Sequence, residues 1–250
     1  MKSWIVLLGI TFCLFSVTGF AQTNRSSEVE ALMAGLDSPS ISKRINASKV
    51  ISRSGLTDQA LYTKVATLLR EGYAAKTDAD HIDEMAWLCK ALAASGDSQY
   101  RPLFEEIAAN TPSSKLERYA KQSHTLIEEY AQRSRILNET KTWDESLSTE
   151  DNRLINMLNS DNVALKRDAA KMIVRNIKTD EKVFAAAAAA LNAMAVESHP
   201  DSTSVDTMAW LCKSLAASGN SKYVVTLQKI HDDTSSSKLK MHASKALKAF

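Results

Sequence analysis

The chain has 250 residues, and its 31 Lys and Arg against 29 Asp and Glu give a formal net charge of +2. A chain so close to neutral lacks the basic surface with which nucleic-acid-binding proteins contact phosphates, so we expect no nucleic-acid partner. It contains only 7 glycines and 4 prolines, and aromatic residues make up 6%. This composition is typical of a mostly helical protein.

Residues 1–21 have the layout of a secretory signal peptide. A basic residue, Lys2, precedes an apolar run to about Phe20, and the small residues Gly19 and Ala21 stand just before a polar segment. We expect cleavage after Ala21, an exported protein that is periplasmic or secreted, and no membrane span after cleavage. The alternative is an uncleaved anchor, because the apolar run is almost long enough to cross a bilayer.

The two halves of the chain repeat one another. MAWLCKALAASGDS at 85–98 recurs as MAWLCKSLAASGNS at 208–221, at an offset of 123 that holds to the chain end. Upstream the offset is 122, which pairs 36–49 with 158–171. The mature chain is therefore predicted to be an internal duplication. Its predicted parts are a first unit at 22–133, a linker at 134–148 and a second unit at 149–250.

Helical periodicity is present throughout each unit. In the first unit, apolar residues recur every three or four positions, which predicts short helices and no strands. Gly96 lies just past one of these runs, where a left-handed residue commonly ends a helix. Ser113 or Ser114 is expected to cap the start of the last helix. The predicted helices lie near 28–36, at about 39–54 and 57–72, around Met85 to Leu92, around Tyr100 to Ile107, and after Ser113.

Two segments of each unit resemble HEAT-like repeats. Residues 36–47 and 158–169 are similar to the first helix of such a repeat, and the alanine-rich helix that ends Ala-Ser-Gly is similar to the next one. The resemblance to the HEAT-like (PBS-lyase-type) helical-repeat family, as an exported bacterial member, covers nearly all of 28–133 and 150–250. It implies an all-α, HEAT/armadillo-like α-solenoid of stacked antiparallel helix pairs. Whether the two units form one continuous superhelix stays open.

The family resemblance also bears on function. It implies a scaffold that binds another protein, and we expect no enzyme, no cofactor and no metal. The alternatives are a lyase-type enzyme, because some HEAT-like proteins are associated with bilin attachment, and a structural envelope-associated protein. Other HEAT-like proteins carry a di-iron hydroxylase site built on His-Glu pairs, and none of the five His here is followed by Glu. The acidic stretch at 78–84 is better explained by capping of a helix start than by a metal.

Large side chains that recur in both units are the candidate partner-binding residues, since buried aromatics and cations anchor many interfaces. The alternative for the tryptophans is packing between helices, which the apolar surroundings favour. If a partner surface exists, we expect it at Trp87, Lys90, Tyr100, Trp210, Lys213 and Tyr223.

Cys89 and Cys212 occupy equivalent positions in the two units. Equivalent positions in a stack are several helix layers apart, at about 8–10 Å per layer, whereas a disulfide needs α-carbons within about 7 Å. We therefore expect two buried free thiols and no disulfide between them.

Overall fold

A computed structural model describes residues 19–75, 78–175, 179–196 and 200–250, with side chains from residue 27 onward. The predicted signal peptide lies almost entirely outside these residues and stays a prediction. No helix in the described ranges is both long enough and apolar enough to span a bilayer.

The described part of the chain is α-helical and contains no strand, which confirms the predicted all-α class. Short 3₁₀ turns at Ser98–Tyr100, Thr140–Thr142 and Ser221–Tyr223 connect some of the helices. The α-helices are α1 (Gly19–Leu36), α2 (Ile41–Ser54), α3 (Gln59–Gly72), α4 (Ala79–Ala93), α5 (Arg101–Asn110), α6 (Ser114–Leu137), α7 (Thr149–Asn159), α8 (Val163–Arg175), α9 (Glu181–Met194), α10 (Ser202–Ala217), α11 (Val224–Asp233) and α12 (Ser237–Leu247).

The helices stack in pairs, as predicted for an α-solenoid. Each odd-numbered helix packs on the even-numbered helix that follows it. The even-numbered helices form rows, with α4 between α2 and α6, and α10 between α8 and α12. Among the odd-numbered helices α1 contacts α3, and α9 contacts α7 and α11. Each helix therefore buries its apolar face against its pair partner and against the next layer.

Two helices are longer than the sequence predicts. Helix α1 begins at Gly19 rather than near 28, and residues 20–34 contain neither glycine nor proline that would interrupt it. Helix α6 runs to Leu137, four residues into the predicted linker. Its last turn is stabilised by contacts with both units, which a local sequence pattern does not reveal.

Polar side chains begin the helices where the sequence predicts. Ser113 caps α6 by accepting the amide of Leu116, and Asp78 caps α4 by accepting the amide of His81. In the second unit Asp201 caps α10 by accepting the amide of Ser204. These caps satisfy amides that have no partner inside the helix.

The junction between the units is a folded part of the structure. Leu137 is 1% exposed and belongs to the apolar core of the second unit. The next residue, Asn138, donates from Nδ2 to the carbonyl oxygens of Gly55 (2.8 Å) and Ser134 (2.9 Å). The end of α6 is thus bound to the end of α2 on one side and to the second core on the other.

Two buried asparagines on α7 hold the rest of the predicted linker. Asn156 donates to the carbonyl oxygen of Glu139 (2.9 Å) and accepts from the hydroxyl of Thr142 (2.8 Å). Asn152 accepts from the amide of Asp144 and donates to the carbonyl oxygen of the same residue, at 2.8 and 2.9 Å. A buried amide that satisfies backbone groups in this way orders the segment that it contacts.

Two equivalent glycines end α4 and α10, and they give a matched test of the packing at the junction. Gly96 (φ +67°) and Gly219 (φ +63°) are both left-handed, but a Cβ on Gly96 would lie 2.5 Å from the Cα of Ala131 on α6, whereas a Cβ on Gly219 would meet nothing within 4 Å. Gly219→Ala should cost about 1–2 kcal/mol for the backbone conformation alone. Gly96→Ala should cost about 1–3 kcal/mol more, because α6 must move.

Urea unfolding of the two variants beside the wild type measures this difference in the free energy of unfolding. Equal losses would contradict the close approach of α6 to the end of α4.

Candidate binding surface on the even-numbered helices

Helix α4 is buried on nearly every side. Between Glu84 and Ala94 only Trp87 and Lys90 are half-buried, and every other residue is buried. Lys90 stands three positions after Trp87, and Asp83 stands four before it, so the three side chains share one helix face. This face is the only part of the α4 midsection that contacts solvent.

The ring of Trp87 is flanked by lysines from two helices. Nζ of Lys90 lies 4.5 Å from the centre of the indole, and Nζ of Lys49 on α2 lies 5.1 Å from it. Lys90 also reaches the ring of Tyr119 on α6, at 4.8 Å. We call Lys49, Trp87, Lys90 and Tyr119 the first lysine–tryptophan cluster. Cation–π contacts of this kind stabilise by about 0.5–1 kcal/mol at exposed sites.

The second unit builds the same arrangement. Nζ of Lys213 lies 4.0 Å from the centre of the Trp210 ring, and Nζ of Lys171 on α8 lies 5.4 Å from it. Lys171 is the repeat equivalent of Lys49, and His242 on α12 stands where the first unit has Tyr119. We call Lys171, Trp210, Lys213 and His242 the second lysine–tryptophan cluster. The repeated segments at 85–98 and 208–221 therefore form two equivalent surface clusters, and they also pack in equivalent ways within the two units.

The lysines of both clusters keep their charge available. Within the part of the chain that the structure describes, none of Lys49, Lys90, Lys171 and Lys213 lies within salt-bridge distance of a carboxylate. Asp83 and its equivalent Asp206 lie on the same helix faces, but they pair with Lys115 and Lys238 respectively. The clusters consequently present unpaired cations beside aromatic rings.

A hollow of about 280 Å³ lies beside the first cluster and is lined by α2, α4, α6 and α8. Arg53, Trp87 and Lys90 form part of its wall. On the opposite side Arg133 of α6 donates to Asp168 of α8 at 2.9 Å, which links the two units across this face. The even-numbered row is therefore concave at the first cluster.

The pKa of the His242 imidazole in the second cluster is below its usual value. Burial is the largest cause that lowers its pKa, and the positive charges of Lys213, Lys245 and Lys238 lower it further. Asp206 opposes this shift only weakly. Nδ1 of His242 is buried and has no hydrogen-bond partner among the described residues. The three lysines that lower this pKa place several positive charges around His242.

Tyr100 and Tyr223, which the sequence also proposes as surface residues, lie elsewhere. They are 6% and 4% exposed. The hydroxyl of Tyr100 accepts from Gln59 on α3 (3.0 Å), and the hydroxyl of Tyr223 donates to Glu181 on α9 (2.5 Å). Burial, followed by this hydrogen bond, raises the pKa of Tyr223 to about 12. The structure thus brings the other four predicted residues together in two pairs and places both tyrosines in helix packing.

Four residues of the two clusters are not among those that the sequence predicts: Lys49, Lys171, Tyr119 and His242. The repeat offset alone could have identified Lys49 and Lys171 as an equivalent pair. The offset could not show that Lys49 contacts Trp87 or that Lys171 contacts Trp210, since each of these pairs joins two different helices.

The acidic stretch at 78–84 is used in structural contacts. Asp78 caps α4, and Glu84, which is 3% exposed, accepts two hydrogen bonds from Arg44 at 2.5 and 2.9 Å. Among the described residues, no group of three or more His, Cys, Asp or Glu is placed to hold a metal ion.

Both described cysteines are free and fully buried. Cys89 lies on α4 and Cys212 on α10, in the separate cores of the two units. Burial raises the pKa of each thiol to about 12. A thiol in this environment is a weak nucleophile, because the thiolate is the reactive form.

Solved structures similar to this chain include two that match it over most of its length. One is human deoxyhypusine hydroxylase in complex with glycerol, with a TM-score of 0.35 and 12% identity over 92% of this chain and 88% of that chain. The other is an engineered protein, with a TM-score of 0.31 and 14% identity over 88% of this chain and 97% of that chain. No family model matches the sequence, and no curated protein matches it either.

The comparison corrects one sequence-based expectation. The family resemblance led us to expect that this chain is not an enzyme, but deoxyhypusine hydroxylase, which has a similar helical-repeat fold, is an enzyme. That expectation is therefore wrong as an inference from the fold. The similarity, at 12% identity and a TM-score of 0.35, concerns the fold alone.

The buried thiols predict slow chemical labelling. Native protein mixed with a maleimide at pH 8 should react slowly at both Cys89 and Cys212, since both are inaccessible and their pKa values are raised. Labelling should rise to completion in denaturant, as followed by mass spectrometry. Rapid labelling of the native chain would contradict the burial of these side chains, and a disulfide in the purified protein would contradict the stacked arrangement.

The lowered pKa of His242 predicts a pH-dependent stability. The pKa of His242 in the folded chain is below the usual value of about 6.5, because the fold disfavours the protonated imidazole. The free energy of unfolding therefore has its full value above pH 6.5 and decreases as the pH falls through the pKa of the folded state. His242→Tyr, which installs the first unit's residue, should remove this part of the pH dependence. Urea unfolding at pH 7.5 and pH 5.5 compares the variant with the wild type. An identical loss of stability in both would count against His242 as its source.

Proposed function

We propose that this chain is an exported, HEAT-like helical-repeat protein of bacterial type whose even-numbered helices bind an acidic segment of another protein. The observation that supports the proposal is the duplicated lysine–tryptophan cluster. Each cluster combines a half-buried indole with two lysines that have no carboxylate partner in the described part of the chain. Binding of this kind is compatible with a scaffold and with an enzyme.

The chemistry of the clusters favours an acidic peptide. A carboxylate that approaches Lys49 or Lys90 gains a charge-assisted hydrogen bond, and the indole beside it covers apolar parts of the same peptide. The ammonium groups already lie over the ring, so little side-chain freedom is lost when the partner binds.

Two clusters on one chain also allow bivalent binding. An acidic segment long enough to reach both would bind the second cluster as an intramolecular step, at a high effective concentration. The overall affinity would then exceed the affinity of either cluster alone, without any further contact.

The proposal predicts the effect of removing each indole. Trp87→Ala and Trp210→Ala should each weaken binding of a synthetic peptide of alternating Glu and Ala by about 5- to 30-fold, the effect typical of an interface anchor. The double variant should weaken it further. Isothermal titration calorimetry at low and high salt measures these affinities, and the affinity should fall as the salt concentration rises.

Two controls separate this prediction from general effects. Trp143→Phe alters a tryptophan outside both clusters and should leave the affinity unchanged. A peptide with Gln in place of every Glu should bind much more weakly. Equal binding of the Glu and Gln peptides, or an unchanged affinity in the double variant, would reject the proposed surface. Crosslinking in cells with the same variants then identifies the natural partner.

A further inference from the structure

A second cavity lies between the first and second units, next to the first lysine–tryptophan cluster. This cleft of about 470 Å³ is bounded by α1 and α2 on one side and by α7 and α8 on the other. Its size falls within the range of small-molecule sites, about 300–1,000 Å³. Arg53 lines both this cleft and the hollow beside Trp87, so the two cavities adjoin.

The cleft has an apolar floor. Leu137, Leu154 and Met157 lie at its base and are each 1% exposed. Nearer the solvent, Val50 is 49% exposed, which is unusual for a large apolar side chain in this protein, and Met172 is half-buried. These two side chains extend the apolar surface from the floor to the mouth of the cleft.

Repeat-equivalent residues line the two walls. Because the offset between the units is 122 here, α1 and α2 supply the same kinds of side chain as α7 and α8: a carboxylate, an apolar residue and an arginine. The two units therefore share one cavity, because each unit contributes one of its walls. The equivalent pairs are Glu28 and Glu150, Val50 and Met172, and Arg53 and Arg175.

Positive charge predominates at the cleft. Lys49, Arg53 and Arg175 line it with no salt bridge to a carboxylate among the described residues. Glu28 and Glu150 are the carboxylates of the lining. Burial chiefly raises the pKa of Glu150, and the charges of Asp151 and Glu28 add to the shift. An anion with an apolar body matches this combination of charge and surface.

We propose that the cleft binds a medium-chain alkyl carboxylate, with its chain along Val50, Met172 and the apolar floor and its carboxylate at Arg53 and Arg175. Arginine suits this role because its planar guanidinium can hold a carboxylate by two parallel hydrogen bonds. The cleft shares Lys49 with the first lysine–tryptophan cluster, but its apolar floor, Val50, Met172 and Arg175 lie outside that cluster, so decanoate binding can be tested independently of peptide binding.

Calorimetric titration of the full chain with decanoate, below its micelle concentration, tests the site. We expect saturable binding with one decanoate per chain. Decanol, which has the same chain and no charge, should bind at least tenfold more weakly, and acetate should not bind. Shortening the chain to octanoate should weaken binding about threefold to fourfold for each methylene removed.

Variants locate the site. Val50→Ser and Arg175→Gln should each weaken decanoate binding by about fivefold or more, whereas Val225→Ser should have no effect, because Val225 lies on α11, outside the cleft, and is 77% exposed. Circular dichroism melting checks that each variant is folded. Equal affinity for decanol and decanoate, non-saturable binding, or an unchanged affinity in Val50→Ser would overturn the proposal.

Discussion

Helices α4 and α10 are apolar on almost every side, and the rest of the structure follows from covering them. A helix of this kind is stable in water only when several neighbours bury it. Here α4 packs against α2, α3 and α6, and α10 packs against α8, α9 and α12. Each central helix keeps one narrow face open to solvent. That face carries an aspartate, a tryptophan and a lysine in both units: Asp83, Trp87 and Lys90, and Asp206, Trp210 and Lys213.

Because of this open face, each of the two tryptophans can both pack between helices and belong to a binding surface. Each indole is half-buried, and the ammonium groups of two lysines lie over its ring. A lysine can contact an aromatic ring and still present its charge to solvent. The same residues therefore complete the fold and present charge to a partner.

The junction between the units is where the duplication departs from an exact copy. Helix α7 carries Asn152 and Asn156, whereas α1 has Glu30 and Ala34 at the equivalent positions. The difference has a physical reason, since α7 must satisfy backbone groups of the segment that follows α6. With the two units bound in this way, equivalent residues of α2 and α8 line one cleft. A flexible tether would not hold them there.

The sequence by itself determined the helical class, the internal repeat, the approximate bounds of α2 to α5, and the prominence of Trp87, Lys90, Trp210 and Lys213. These features are local or repeated, so periodicity, capping residues and a constant offset reveal them. Tertiary structure alone decided that Lys49 and Lys171 reach the indoles, that Tyr100 and Tyr223 are buried against α3 and α9, and that the two units share a cleft. Each of these depends on contacts between residues that are distant along the chain, and no local pattern in a single sequence specifies which helix faces meet.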